Sequence, residues 1–331
     1  MTLDDIPEMA YRRKGEPVAE VRERYWNAAF GLQEVDGLNP SDYARGLAQK
    51  NVDGELALHE VGEELRRYYR DEAGRGDGRL STGGARTEEA DKVSQRIVAL
   101  LENGAFALEP AMLRSIHRFL FADLDDSVYR PGSFKTEALI KPEIILNGDS
   151  VFYAPPEMYD GMLRALFGRE SAHEYAFGPR LEGADLANFT RFIAQVWQVH
   201  PFWEGNTRTV VVFAELYARD LGFDVDNTPF ERHAGYFRDA LVRANYRNRA
   251  VGVDFDFTPL EGFFDALVNG VGDEHADGGE HPGGGCPEGR RTFDRESLIC
   301  RPLFEQPDKL RNVTPEDAAV VRRYLAERGR G

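Results

Sequence analysis

The sequence predicts a mainly α-helical protein with one β-hairpin, preceded by a small helical module. Three observations predict it. Apolar residues recur at helical spacing through most of the chain, a lone Asn147-Gly148 pair sits between two extended segments, and a glycine-rich stretch over residues 71–84 parts the N-terminal segment from the rest. With 331 residues, 42% of them apolar, and 21 Phe and 13 Tyr among them, the chain can bury a sizeable core and fold unaided.

The elements follow in chain order. Residues 19–32 are rich in helix formers and the chain breaks at Gly37-Leu38-Asn39-Pro40-Ser41, where Ser41 predicts the start of a second helix. Residues 60–69 predict a third, and 1–72 together form the helical module. Residues 71–84 hold five glycines in fourteen positions without apolar periodicity, which reads as a linker. Residues 85–269 read as one domain. Val93, Ile97, Leu100 and Leu101 make one helical stripe, and Met112, Ile116, Phe119 and Leu120 a second. Residues 143–146 and 150–153 flank Asn147-Gly148, the pair preferred in a type I′ turn, so a hairpin is expected there. A lone hairpin has to pack on helices. Its free edge would serve as a dock for an extended peptide, with Asn147 and Gly148 at its tip.

Residues 184–199 predict a helix that buries Phe189, Ile193, Val196 and Trp197. Residues 207–221 are apolar on most of their circumference, as a central buried helix has to be, and stop at Gly222. Two more helices are expected, over 234–245 and 258–268, the latter opened by a capping box of Thr258 and Glu261 with Pro259 behind it. Residues 270–289 are low in complexity and read as a linker, in which His275, His281 and Cys286 are solvated rather than metal ligands. The tail, 290–331, contains one expected helix over 314–327, with no legible role.

Charge narrows the function. Against 41 Lys and Arg stand 57 Asp and Glu, a net charge of −16, which disfavours nucleic-acid backbones and anionic membranes as partners. No apolar run approaches the ~20 residues that span a bilayer, and the acidic N-terminus has no signal-peptide pattern, so a cytoplasmic protein is expected. Cys286 and Cys300 are too few for a disulfide framework and read as free thiols.

Between the two most apolar helices lies His200-Pro201-Phe202-Trp203-Glu204-Gly205-Asn206-Thr207-Arg208. Loops that join buried helices rarely carry so many polar groups. Gly205, Asn206 and Thr207 open the central helix, whose unpaired N–H groups and positive dipole end suit an anion such as phosphate. Arg208 can add charge-assisted bonds to it. Glu204 is spaced to hold Mg²⁺ bridging phosphate oxygens, and His200 to act as a general base.

This stretch resembles the motif of the Fic/Doc family, His-Pro-Phe-x-(Asp/Glu)-Gly-Asn-Gly-Arg-x-x-Arg, and agrees with it at seven of the eight fixed positions up to the first arginine. The resemblance extends over residues 87–268. Ile116 and the residues to Thr136 look like the segment before the family's hairpin flap, and residues 236–245 like its nucleotide-side helix. It implies a Fic-like helical core that transfers a nucleoside monophosphate, usually AMP from ATP, to a hydroxyl of a target protein, this chain itself included. His200 would deprotonate that Ser, Thr or Tyr hydroxyl, Glu204 would bind Mg²⁺, and Gly205, Asn206, Thr207 and Arg208 would hold the phosphates. Phe237 and Asn245 would lie at the base-side pocket.

Two positions depart from the family. Thr207 stands where glycine is usual, either strained at positive φ or helical with its hydroxyl free for phosphate. Val211 replaces the second arginine, which in the family meets the terminal phosphate and an inhibitory glutamate. The same residues meeting an inverted nucleotide would transfer phosphate, as Doc relatives do, but those carry lysine at the 207 position. A catalytically silent nucleotide-binding regulator is the reading from another class, suggested by Thr207 and Val211 and opposed by His200. The N-terminal module resembles the small helical antitoxins that inhibit Fic toxins through Ser/Thr-x-x-x-Glu-Gly, with Asp36-Gly37 in the Glu-Gly place and Leu32 in the Ser/Thr place. It implies partial inhibition through Asp36, beside the terminal phosphate and without an arginine to neutralise it.

Overall fold

The computed structural model describes residues 18–75, 82–176, 178–270 and 293–313. The expected helix over 314–327 and the linker residues 271–289 lie outside the described residues, as do 76–81 of the glycine-rich stretch. The described residues are mainly helical. Three helices, α1 (Ala19–Glu34), α2 (Asp42–Val52) and α3 (Leu58–Arg75), precede α4 (Thr82–Asn103) and α5 (Pro110–Phe121). After a long loop come α6 (Tyr159–Ser171), α7 (Gly183–Val199), α8 (Asn206–Asp220), α9 (Thr228–Asn245) and α10 (Thr258–Asn269), then the short α11 (Arg301–Glu305).

Local chemistry explains the boundaries. Ser41 caps α2 as expected, its hydroxyl accepting from the Ala44 N–H, and it also donates to Asp91 of α4 at 2.5 Å. α1 ends in a Schellman motif: Leu38 N–H donates to the Gln33 carbonyl and Gly37 N–H to that of Glu34, with Gly37 at φ 66°. α9 begins at Thr228, earlier than the 234 expected, because His233 at φ −135° interrupts a helix whose apolar pattern is continuous only beyond it. The capping box at Thr258 does not form. Asp256 accepts from the Thr258 N–H instead, and Glu261 N–H donates to the Phe257 carbonyl.

The hairpin is the main correction. Among the described residues no strand forms, and pairing is limited to isolated bridges, Pro142 with Ser150 and Asn248 with Val253. Pro142 has no N–H to give a ladder. Residues 144–146 curl into a single 3₁₀ turn before Asn147 and Gly148, whose φ values of 55° and 85° are those of the expected turn. The edge is not free either. Asn147 Nδ2 donates to the Leu303 carbonyl and Cys300 N–H to that of Ile145, so residues 293–313 lie on this flap loop.

α8 is central, with every residue from Asn206 to Ala218 buried. The first three helices are not a detached module: one hydrophobic core runs from Trp26 of α1 to Leu303 of α11. α1 packs between α4 and α9 at close range, and a Cβ on Gly31 would stand 2.5 Å from the Phe230 carbonyl oxygen. That contact fixes the C-terminal end of α1, and with it Asp36.

Candidate active site

The loop 200–205 turns the chain from α7 into α8, and buried groups hold it from several sides. His200 ends α7 in the left-handed region (φ 50°, ψ 54°), its N–H donating to the Trp197 carbonyl. That conformation costs a non-glycine residue about 1–2 kcal/mol, and Lys135 offsets it. Lys135 Nζ donates to the His200 carbonyl at 2.5 Å, and its backbone N–H to that of Pro201 at 2.8 Å. Burial pulls the Lys135 ammonium down to about 8. His117 braces the other side. Gly132 N–H donates to its Nδ1, so the ring carries its proton on Nε2, which donates to the Glu204 carbonyl at 3.1 Å. Burial lowers His117 to about 4 and keeps it neutral.

Gly205 is required twice over. It sits at φ 70°, and a Cβ there would stand 2.0 Å from the Phe121 ring. Asn206 closes the loop on itself: its Nδ2 donates to the Phe202 carbonyl and its Oδ1 accepts from the Phe202 N–H. Thr207 is helical and unstrained, with its hydroxyl accepting from the Trp197 indole at 3.0 Å. The side chains of Asn206 and Thr207 therefore build the loop, and the N–H groups of the first turn of α8 are what they leave for a ligand.

A cleft of about 180 Å³ opens over this turn. His200, Glu204, Gly205, Asn206 and Thr207 form one wall, Leu139 and Lys141 of the flap loop another, and Asp36 and Trp203 complete it. His200 is 3% exposed, with Nδ1 buried and without a hydrogen-bond partner. Burial holds the imidazole well below its usual range, with the charges of Lys141, Lys135 and Arg238 acting the same way. Glu204 faces solvent at the mouth. Desolvation raises its carboxyl, Lys141 opposes that, and Asp36 adds to it.

Arg208 is not among the residues that line the cleft. It is 1% exposed, and all three of its nitrogens are engaged: Nη2 with Glu89 at 2.6 Å, Nη1 with Gln33 at 3.0 Å, and Nε with Asp36 at 3.0 Å. Asp36 therefore has an arginine partner after all, the first of the motif rather than the second. The Nε–Oδ2 approach is an ion pair without hydrogen-bond geometry. Val211 is fully buried on the same helix.

The other expected residues lie elsewhere. Phe237 is in the core against Phe230 and Phe263, and Asn245 Nδ2 donates to the Ala194 and Leu241 carbonyls. Asn147 and Gly148 lie beneath the C-terminal segment. Sequence reasoning missed Lys135, His117, Glu89 and Gln33. A histidine inside the apolar stripe of Leu113, Ile116 and Leu120 was a readable signal, whereas Lys135 meets a carbonyl 65 positions away. A larger cleft of about 430 Å³, between Arg243 and Cys300, holds none of the motif.

Residues 107–218 match the profile of the Fic/DOC family. A Sinorhizobium fredii relative named "Probable protein adenylyltransferase y4lH" is 26% identical over 137 residues, which is 41% of this chain and 65% of that protein. A solved Fic-domain-containing signaling protein from Bacteroides thetaiotaomicron aligns over 76% of this chain and 88% of its own, at 14% identity and a TM-score of 0.43. The motif loop, at the mouth of the buried central helix, lies near the C-terminal end of the residues that match this profile.

Proposed function

We propose that the chain transfers AMP from ATP to a hydroxyl side chain of a protein. The observation that carries this is His200, a neutral and buried imidazole lining the same cleft as the first turn of α8. A pure binding site has no use for a base held at left-handed backbone geometry. His200 takes the proton of the incoming Ser, Thr or Tyr hydroxyl as its oxygen attacks the α-phosphorus, and the bond from that phosphorus to the oxygen bridging to the β-phosphate breaks, releasing pyrophosphate. The N–H groups of residues 205–207 receive the phosphate oxygens, where the helix dipole favours negative charge.

Among the described residues no cluster of three His, Cys, Asp or Glu could hold a metal by itself. Glu204 nevertheless fits Mg²⁺ that arrives with a polyphosphate, because this ion keeps its waters and needs only one or two carboxylates besides phosphate oxygens. When bound, it neutralises charge on the phosphates. Lys135 and His117 act through the loop, holding the His200 and Glu204 backbone in place.

The N-terminal helices restrain this activity. Asp36 stands in the cleft and pairs with Arg208, and at about 180 Å³ the space is smaller than the 300–1,000 Å³ of typical ligand pockets. Intact-mass analysis after incubation with each nucleoside triphosphate and Mg²⁺ tests the reading. An adduct of nucleoside monophosphate mass that is lost in His200→Ala is expected, whereas an adduct of phosphate mass would assign phosphoryl transfer instead.

A further inference from the structure

We propose that Lys141, a flap-loop residue outside the motif, is the cation that receives the phosphate chain of the nucleotide; the proposal rests on the reading above. The argument begins with charge. Arg208 is turned away from the cleft and engaged at every nitrogen, and position 211 is a buried valine. Lys141 is then the one Lys or Arg among the described residues that line the cleft. Two carboxylates, Asp36 and Glu204, face the same space. Without Lys141 the side chains of the cleft would present only negative charge to a polyanion, and like charges in a partly desolvated cleft repel strongly.

The state of the lysine points the same way. It is half-buried, yet among the described residues no carboxylate lies within 4.0 Å of its ammonium, although two share its cleft. With no carboxylate paired to it, this ammonium can make charge-assisted hydrogen bonds to a bound phosphate. Its charge also reaches the reacting groups: after burial itself, it is the largest influence on both His200 and Glu204.

The backbone from which the side chain extends is fixed. Lys141 N–H donates to Ser150 Oγ at 3.1 Å, and Pro142 bridges to Ser150. The Ser150 carbonyl accepts from Asn312 Nδ2 at 2.5 Å. Only the four-carbon stem has to adjust to reach an anion, and a flexible point charge suits a phosphate chain that lacks the planar fork of a carboxylate.

The test compares ATP and adenosine, by calorimetry with Mg²⁺ at fixed salt, on the full chain and on Lys141→Met and Lys141→Arg. Lys141→Met is expected to weaken ATP binding about tenfold or more, as the loss of a charge-assisted contact does, while adenosine binds all three proteins equally. Lys141→Arg should stay within about threefold of the parent, since the charge is kept. Unchanged ATP affinity in Lys141→Met, at the parent's melting temperature, overturns the proposal. So does a rise in KM for the protein target alone, which would make Lys141 a target contact. A parent chain that binds ATP no tighter than adenosine overturns the nucleotide reading, and the lysine's role falls with it.

Discussion

His200 and His117 are both buried and neutral, and each leaves a measurable trace. An ordinary histidine is half protonated near pH 6.5. His200 sits well below that, by burial first and then by neighbouring cations, so the transfer rate should stay level from pH 7.5 down through pH 6. An acid limb centred at pH 6.5 in that profile would show that the base is solvated as an ordinary histidine is. The same shifts act on stability. Below about pH 6.5 the unfolded chain takes up protons that the folded histidines refuse, so stability present above that pH is lost as pH falls. The loss amounts to about 1.4 kcal/mol per group for each pH unit, and urea unfolding at pH 7 and pH 5.5 measures it.

The flap loop depends on Asp149, which follows the turn directly. Its carboxylate accepts from the N–H groups of Ser150, Asn312 and Arg311, and from the Tyr246 hydroxyl at 2.6 Å. One buried side chain thus ties the flap loop to the C-terminal segment and to the residue that ends α9. With a single bridge and no ladder, the loop relies on contacts of this kind with the C-terminal segment, beside those of Asn147 and Ser150. Asp149→Asn replaces one acceptor by a donor and removes the charge, which should cost about 2–4 kcal/mol. Hydrogen exchange should quicken at residues 141–153 and 311–312 and stay near the parent's in α7 and α8. Equal exchange in the flap loop would mean that the C-terminal segment merely rests on it.

Across the whole molecule, the N-terminal helices and the motif helix share one cluster of charges. Arg208 is balanced by Glu89 of α4 and Asp36 beyond α1, with Gln33 as a third partner. Glu89 belongs to the core and stays. The backbone of Asp36 is held independently of its carboxylate, by the packing of α1 on α4 and α9 and by Arg86, which donates to the Asp36 and Gly37 carbonyls. Asp36→Ala should therefore leave the fold within about 1–2 kcal/mol of the parent, because Glu89 still pairs the buried guanidinium. It should also remove a negative charge from the cleft and raise transfer about tenfold, which corresponds to about 1.4 kcal/mol in the barrier. The rate of adduct formation by intact mass checks this, alongside a melting curve. A folded Asp36→Ala protein with the parent's rate would leave the N-terminal helices as scaffold only.

Helix periodicity placed α1, α2, α7, α8 and α10 to within a few residues, because each carries an apolar stripe and a local start or stop signal. The motif loop was legible for the same reason: its glycine, its base and its carboxylate are local features of nine consecutive residues. What sequence could not supply were relations between distant residues. The partner of Asp36 is a guanidinium 172 positions later, and the bonds that hold Asn147 and Asp149 come from Leu303, Arg311 and Asn312. Asn147-Gly148 carries the local preference for a turn, and the turn's dihedrals did form. Whether its flanks pair as strands is settled by what packs against them, and here the C-terminal segment takes the hydrogen bonds that a ladder would have used. Backbone preference is written residue by residue, whereas the pairing of buried charges and of open backbone groups depends on which surfaces the packed core brings together.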